Sequence, residues 1–274
     1  MSMPGEFSSV PTCSYGVRER TDVQSTADEV LEQIRELGYA VVESGYSAEE
    51  ISSLQRNFDL AVDCYVHLYG QKILEEINEH NSVRLLMAYE KSFIDLALNK
   101  NLLAVVTQLI SGKFVLNQQN GVINPSRQNY NQGAWHRDLP YQHFVSSTPL
   151  AVNALFCLDD FTAENGSTFV LPASHKSAAF PSATYIERNA KQIEAKAGQF
   201  ILLDCMLFHS GGYNASNRVR RAVNHVFSIP YLKQQIRIPG NIDDTGLTGE
   251  ARDILGFGNQ ESSSVAEFLA SRRR

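Results

Sequence analysis

No run of about eighteen apolar residues occurs anywhere in this 274-residue chain, so a membrane-spanning helix is not expected. The opening MSMPGEFSSVPTCSYG lacks the basic and apolar regions of a signal peptide, and a cytoplasmic address is the expectation. Cysteine is scarce and scattered: Cys13, Cys64, Cys157 and Cys205 form no C-x-x-C pair, so neither a thiol zinc site nor a disulfide framework is expected. Cys157 and Cys205 sit inside apolar runs and read as inert core residues. Positive charge is also sparse. The net charge is −6 and the one basic run is Arg272 to Arg274, which argues against nucleic acid as a partner, because phosphate binding draws its affinity from clustered Lys and Arg. Neither internal repeats nor low-complexity segments are evident.

What is there is an ordinary globular composition, 43% hydrophobic and 20% charged, sufficient for one large domain over 1–274. Residues 1–24 read as an irregular arm. From Ser25, STADEVLEQIRELG has a Ser/Thr start, acidic residues in the first turn and Gly38 as a stop, and predicts a helix. YAVVE (39–43) predicts a strand, and Ser47 with Glu50 three residues on makes a capping box for a second helix to Gly70. Helical pattern continues over 71–77 and 93–110, so that 25–112 is expected to be mainly helical. After Gly112 the periodicity changes. Short apolar or alternating runs at 114–123, 150–158, 168–171, 200–203, 206–209 and 220–229 are separated by Asn, Gly, Ser and Pro clusters. They predict a β-rich catalytic half over 113–232, with loops and one or two short helices in 233–274.

Two segments carry metal chemistry. In GAWHRDL (133–139), His136 and Asp138 are two apart; on a strand they share a face, about 7 Å apart at Cα, with Arg137 pointing the other way. Alone such a short motif has a high false-positive rate. The second segment, LLDCMLFHSGGYNASNRVRRAVNHVF, ends an apolar run in His209. Two histidines and one carboxylate, with the remaining coordination positions open, form the facial triad of non-haem iron(II) oxygenases. A 2-oxo acid and O₂ can then share the metal. The far carboxylate of such a co-substrate needs a cation of matched geometry, for which Arg is best suited. Alternation leaves Arg218 and Arg220 on one face and Arg221 on the other.

Four motifs in order, His136-x-Asp138, EN-G-STFVLPASHK (164–176), H-S-G-G-x-N from His209 with Arg eleven residues on, and the opening RELGYAVVESGYSAEEISSLQ, resemble the phytanoyl-CoA dioxygenase family. The likeness runs from about Glu29 to Arg221. It implies a mainly β fold with helices, built on a double-stranded β-helix (jelly-roll) core behind N-terminal helices. It also implies iron(II) on His136, Asp138 and His209, with O₂ as oxidant and the 2-oxoglutarate carboxylate on Arg220. One departure is visible: members often carry Ser two residues after the distal His, where this chain has Gly211.

Further polar residues stand in apolar surroundings. Gln118 and Asn120 share a face of LNQQNGVIN and are candidates for contacting co-substrate or substrate. Asn153, inside TPLAVNALFCL, is a buried polar group that must find a partner. Tyr141, His143 and Phe144, in the segment 139–149 leaving the metal motif, are candidates for the substrate mouth. His67, His80, His175 and His225 read as structural or exposed. The reaction expected is hydroxylation of a small-molecule metabolite or natural-product intermediate with release of succinate and CO₂; no partner macromolecule or membrane is expected, and the oligomeric state stays open. Two competitors remain, a metal-dependent hydrolase or isomerase on a β-barrel and an inactive ligand-binding barrel.

Overall fold

The computed structural model describes residues 10–11, 13–139 and 145–273. Helix α1 spans Thr26–Leu37, with the Ser25 side chain accepting from the Asp28 amide and Gly38 closing it in a left-handed conformation. Strand β1 (Tyr39–Glu43) follows. Helix α2 (Ala48–Tyr69) begins with the expected reciprocal cap, in which Ser47 accepts from the Glu50 amide and Glu50 accepts from the Ser47 amide. Helix α3 (Gln71–Glu76) and strand β2 (Ser82–Arg84) come next.

The helical stretch expected over 93–110 is broken into α4 (Ser92–Ala97) and α5 (Lys100–Leu109). Asn99 causes the break. Its Oδ1 accepts from the Leu102 amide and its Nδ2 donates to the Ser44 carbonyl at 3.0 Å, so it caps a new helix where an apolar residue would have continued the old one.

The remaining elements are β3 (Val115–Asn124), β4 (Ala151–Cys157), β5 (Phe169–Val170), α6 (Ala183–Asn189), β6 (Lys191–Gln192), β7 (Gln199–Asp204), β8 (His209–Ser210), β9 (Arg220–Ser228), α7 (Gly249–Ile254) and α8 (Val265–Ser271). The larger sheet is antiparallel with order β1-β7-β4-β9-β3-β2, and the smaller has order β6-β5-β8. Together they make an open jelly roll that does not close into a barrel. Among the described residues no helix is long and apolar enough to cross a membrane.

The central strands bury both faces, which is why they read as continuous apolar runs. Val152, Ala154 and Phe156 of β4, Phe200 and Leu202 of β7, and Val223 and Phe227 of β9 join the helices in the main core. Their neighbours Leu155, Cys157, Ile201, Leu203 and Ala222 pack on the other face with Val170 of β5. Each fully buried Phe contributes on the order of 1.5–3 kcal/mol.

Gly121 of β3 faces the helices at closest approach: a Cβ there would lie 2.8 Å from the Phe58 ring and 3.2 Å from Leu86. Phe58 is fully buried and held edge-to-face against Phe93, so it has little room to yield. Gly121→Ala should therefore destabilise the protein by about 1–3 kcal/mol through overpacking. Urea denaturation will measure this; an unchanged midpoint would mean that the α2–β3 contact is looser than the packing indicates.

Candidate metal centre

The two metal-motif segments are joined through their backbones. His136 and His209 form an isolated antiparallel bridge, with amide-to-carbonyl hydrogen bonds in both directions at 2.9 and 3.1 Å, and the Asp138 amide donates to the Cys205 carbonyl at 3.1 Å. The expected strand at 136–138 is thus one bridge lying against the end of β7 and the start of β8. The consequence for side chains is still the one that alternation predicts. His136 and Asp138 face His209, and Arg137 points away.

Arg137 anchors the segment from its other side. Its guanidinium donates to the carbonyls of Ser174, Ser177 and Ala178 and lies 3.8 Å over the Phe208 ring. The loop after β5 and the residue preceding His209 are thereby held by the side chain that separates the two candidate ligands.

Asp138 Oδ1 stands 3.8 Å from His136 Nε2 and 3.7 Å from His209 Nε2, and one ligand atom from each of the three residues lies within 4.8 Å of the others. The imidazole tautomers follow from their outer partners. His136 Nδ1 lies 2.8 Å from the Ala134 carbonyl and His209 Nδ1 lies 3.0 Å from the Leu207 carbonyl. A carbonyl only accepts, so each Nδ1 carries a hydrogen and donates outward, which leaves Nε2 as the nitrogen that faces Asp138 and that a neutral ring would offer to a metal. Burial holds the His209 pKa below its ordinary value, against the pull of Asp138, which favours the neutral, ligating form. The set can hold one divalent ion.

Asn153 is beside this cluster. It lies on the cavity face of β4 with Leu155, and its Nδ2 donates to Asp138 Oδ2 at 2.6 Å. The buried polar group read from sequence has found its partner, an Asp whose other oxygen faces both histidines.

Arg220, the first residue of β9, is 3% exposed. Its guanidinium lies 3.9 Å over the Phe161 ring, and Nη2 donates to the Tyr130 hydroxyl at 3.3 Å, while the buried Nε has no partner. Among the described residues no carboxylate comes within ion-pair distance of it. Burial lowers its pKa from the usual arginine value. Arg218, the alternative left open by alternation, is exposed in the preceding turn, and Arg221 is tied to Asp59 and Asp159. One cavity is lined by His136, Asp138, Asn153, His209 and Arg220, with Tyr130, Gln132, Thr168, Gly211 and Asn224 among its other walls.

Gln118 and Asn120 do not line this cavity. Asn120 pairs with the cavity-lining Asn224 across the β3–β9 ladder and donates to Gln235 Oε1 at 3.0 Å; Gln118 is half-buried just past a bulge. Tyr141, His143 and Phe144 lie outside the described residues. Tyr130, Gln132, Thr168 and Asn224 escaped the sequence reading. Only Asn224 left a signal of the kind that marked Asn153, a polar residue within an apolar strand.

A jelly roll carrying two histidines and an aspartate beside a buried arginine is the architecture of a non-haem metal oxygenase. The chain belongs to the phytanoyl-CoA dioxygenase family, whose model matches residues 34–222. An uncharacterised protein of Mycobacterium tuberculosis is 30% identical over 257 residues, 91% of this chain and 93% of that protein. The iron/alpha-ketoglutarate-dependent dioxygenase penM of Penicillium thymicola is 28% identical over 138 residues, 47% of this chain and 43% of that one. Among solved structures, EctD from S. alaskensis with 2-oxoglutarate and 5-hydroxyectoine superposes with a TM-score of 0.64 at 23% identity, covering 78% of this chain and 79% of EctD. At that identity the likeness is one of fold.

Asn153→Ala should weaken binding of a divalent metal by about 10–100-fold, because Asp138 Oδ2 loses the donor that orients its carboxylate. Titration against a chelator of known affinity measures it, and an unchanged affinity would show that the carboxylate is held without Asn153.

Proposed function

We propose that the protein is an iron(II)- and 2-oxoglutarate-dependent dioxygenase that hydroxylates a small-molecule metabolite or natural-product intermediate. His136, Asp138 and His209 hold the iron, and Arg220 takes the far carboxylate of the co-substrate. When bound, the iron, with 2-oxoglutarate and O₂, supplies oxidative decarboxylation to succinate and CO₂ and delivers oxygen to a C–H bond of the substrate.

The observation that carries this reading is Arg220. An isolated charge in a protein interior costs several kcal/mol unless it is paired, and among the described residues this guanidinium has an orphaned Nε and no acid within ion-pair distance, only the Tyr130 hydroxyl and the Phe161 ring. Its place in the same cavity as the two-histidine, one-carboxylate cluster suits a ligand with a metal-binding group at one end and a carboxylate at the other. A hydrolytic metal site does not require a cation for a second carboxylate, whereas a 2-oxo diacid does.

The remaining roles fall to residues on the page. The Nδ1–H donors of His136 and His209 keep both rings oriented through backbone carbonyls, and Asn153 does the same for Asp138. Val122, Leu155, Leu203 and Ala222 supply apolar wall, which limits water around the reacting atoms. Thr168 and Asn224 add polar groups to the same cavity, consistent with a small ligand oriented by a few hydrogen bonds.

The test is an anaerobic titration. Iron(II) should bind near 1:1, and added 2-oxoglutarate should bring up a weak visible metal-to-ligand band. Arg220→Ala should leave iron binding nearly intact and weaken 2-oxoglutarate by more than about tenfold, since hydrogen bonds to charged groups contribute about 1.5–3 kcal/mol each. Tight iron binding with no spectral response to 2-oxoglutarate would overturn the assignment.

A further inference from the structure

We propose that Tyr130 is a second anchor for the far carboxylate of the co-substrate, its phenol donating a hydrogen bond to the carboxylate held by Arg220. This rests on the 2-oxoglutarate reading of the cavity and extends it to a residue that no motif marks.

Tyr130 lies in the loop after β3, and its ring reaches the cavity between Gly211 and Arg220. The backbone fixes it there: the Gly133 amide donates to the Tyr130 carbonyl at 3.0 Å, and the Gly211 amide donates to the Gln132 carbonyl at 2.7 Å. A Cβ on Gly211 would fall 1.8 Å from the Tyr130 hydroxyl oxygen and 2.8 Å from Cζ. The phenol therefore occupies the volume that any side chain at 211 would take. Gly211 is open so that Tyr130 can be present.

Hydrogen-bond direction then assigns the hydroxyl its task. A guanidinium only donates, so in the 3.3 Å contact with Arg220 Nη2 the phenol oxygen is the acceptor. Its own hydrogen remains to be given, and among the described residues no protein acceptor takes it. Burial raises the phenol pKa above its ordinary value, so the group remains a donor. Beneath the guanidinium, the Phe161 ring at 3.9 Å covers one face and leaves the edge for an incoming anion. An edge offering Arg220 N–H groups and a phenol O–H side by side matches the two oxygens of a carboxylate.

The experiment compares two ligands on the iron(II)-loaded protein under anaerobic conditions by calorimetry. One is 2-oxoglutarate; the other is 2-oxopentanoate, of the same chain length with no second carboxylate. The proteins are wild type, Tyr130→Phe and Arg220→Ala. Wild type should prefer the diacid. Tyr130→Phe should weaken 2-oxoglutarate by about tenfold and 2-oxopentanoate by less than about twofold, because the lost hydrogen bond belongs to the missing carboxylate. Equal losses for both ligands would reduce Tyr130 to a packing role, and no loss for either would remove it from the site; each overturns the proposal. If Arg220→Ala abolishes the preference while Tyr130→Phe leaves it whole, the Tyr130 assignment fails and the co-substrate reading survives. A wild type that does not distinguish the ligands removes both.

Discussion

The strict two-residue alternation of β4, β7 and β9 is the constraint on which the molecule depends. These strands are buried on both faces, so each must present a helix-packing row on one side and a cavity row on the other. On β4 the first row is Val152, Ala154 and Phe156, and the second is Asn153, Leu155 and Cys157. A slip of one residue would drive Asn153 into the apolar core and Phe156 into the metal cavity. The register that pairs Asn153 with Leu203 and Val226 is thus set by the packing of apolar groups, and the position of the donor to Asp138 is inherited from it.

A buried polar pair reinforces that register from the helix side. His225 of β9 opposes Gln119 of β3. The imidazole gives its Nδ1 hydrogen to the Ala154 carbonyl at 3.1 Å, which leaves Nε2 to accept from Gln119 Nε2 at 3.0 Å. The same Gln119 amide donates to the Phe93 carbonyl and its Oε1 accepts from the Met87 amide. Three strands and the segment leading into α4 are joined through two side chains with every group satisfied, an arrangement that specifies one pairing over its neighbours. Burial lowers the His225 pKa to about 4, so the ring stays neutral and the network intact near neutrality.

How far the sequence discloses the rest depends on whether a feature is local. Ser47 and Glu50 are three residues apart, and their cap is legible because both partners lie in one turn. Asn99 was hidden inside an apolar periodicity although it too acts locally, since its competing hydrogen bond involves the distant Ser44 carbonyl. His136 and Asp138 were expected to share a face on a strand. They share the face without the strand, because one backbone bridge to His209 imposes the same alternation. Arg220 could not be separated from Arg218 by pattern, since the choice depends on where β9 begins. Tyr130 left no trace: it sits in a loop, and its role is defined by the missing side chain of Gly211, 81 residues later.

The charges of the cavity connect these parts. Asp138 contributes one negative charge, Arg220 one positive charge, and the two imidazoles are neutral when each Nδ1 alone carries a hydrogen, so the protein's own groups sum to zero. On the proposed reading, a divalent ion would add two positive charges, and a dianion with one carboxylate at the ion and the other at Arg220 would restore neutrality. A second protein carboxylate near Arg220 would satisfy the guanidinium in the empty site and then repel the incoming dianion. With no acid within ion-pair distance among the described residues, Arg220 has the Tyr130 hydroxyl and the Phe161 ring as partners, and on the proposed reading it would gain a carboxylate only when the co-substrate arrives. On the proposed reading, the cost of keeping that charge buried and under-paired is carried by the folded protein beforehand, which would let the cavity favour a metal-chelating dianion over a neutral ligand of the same size.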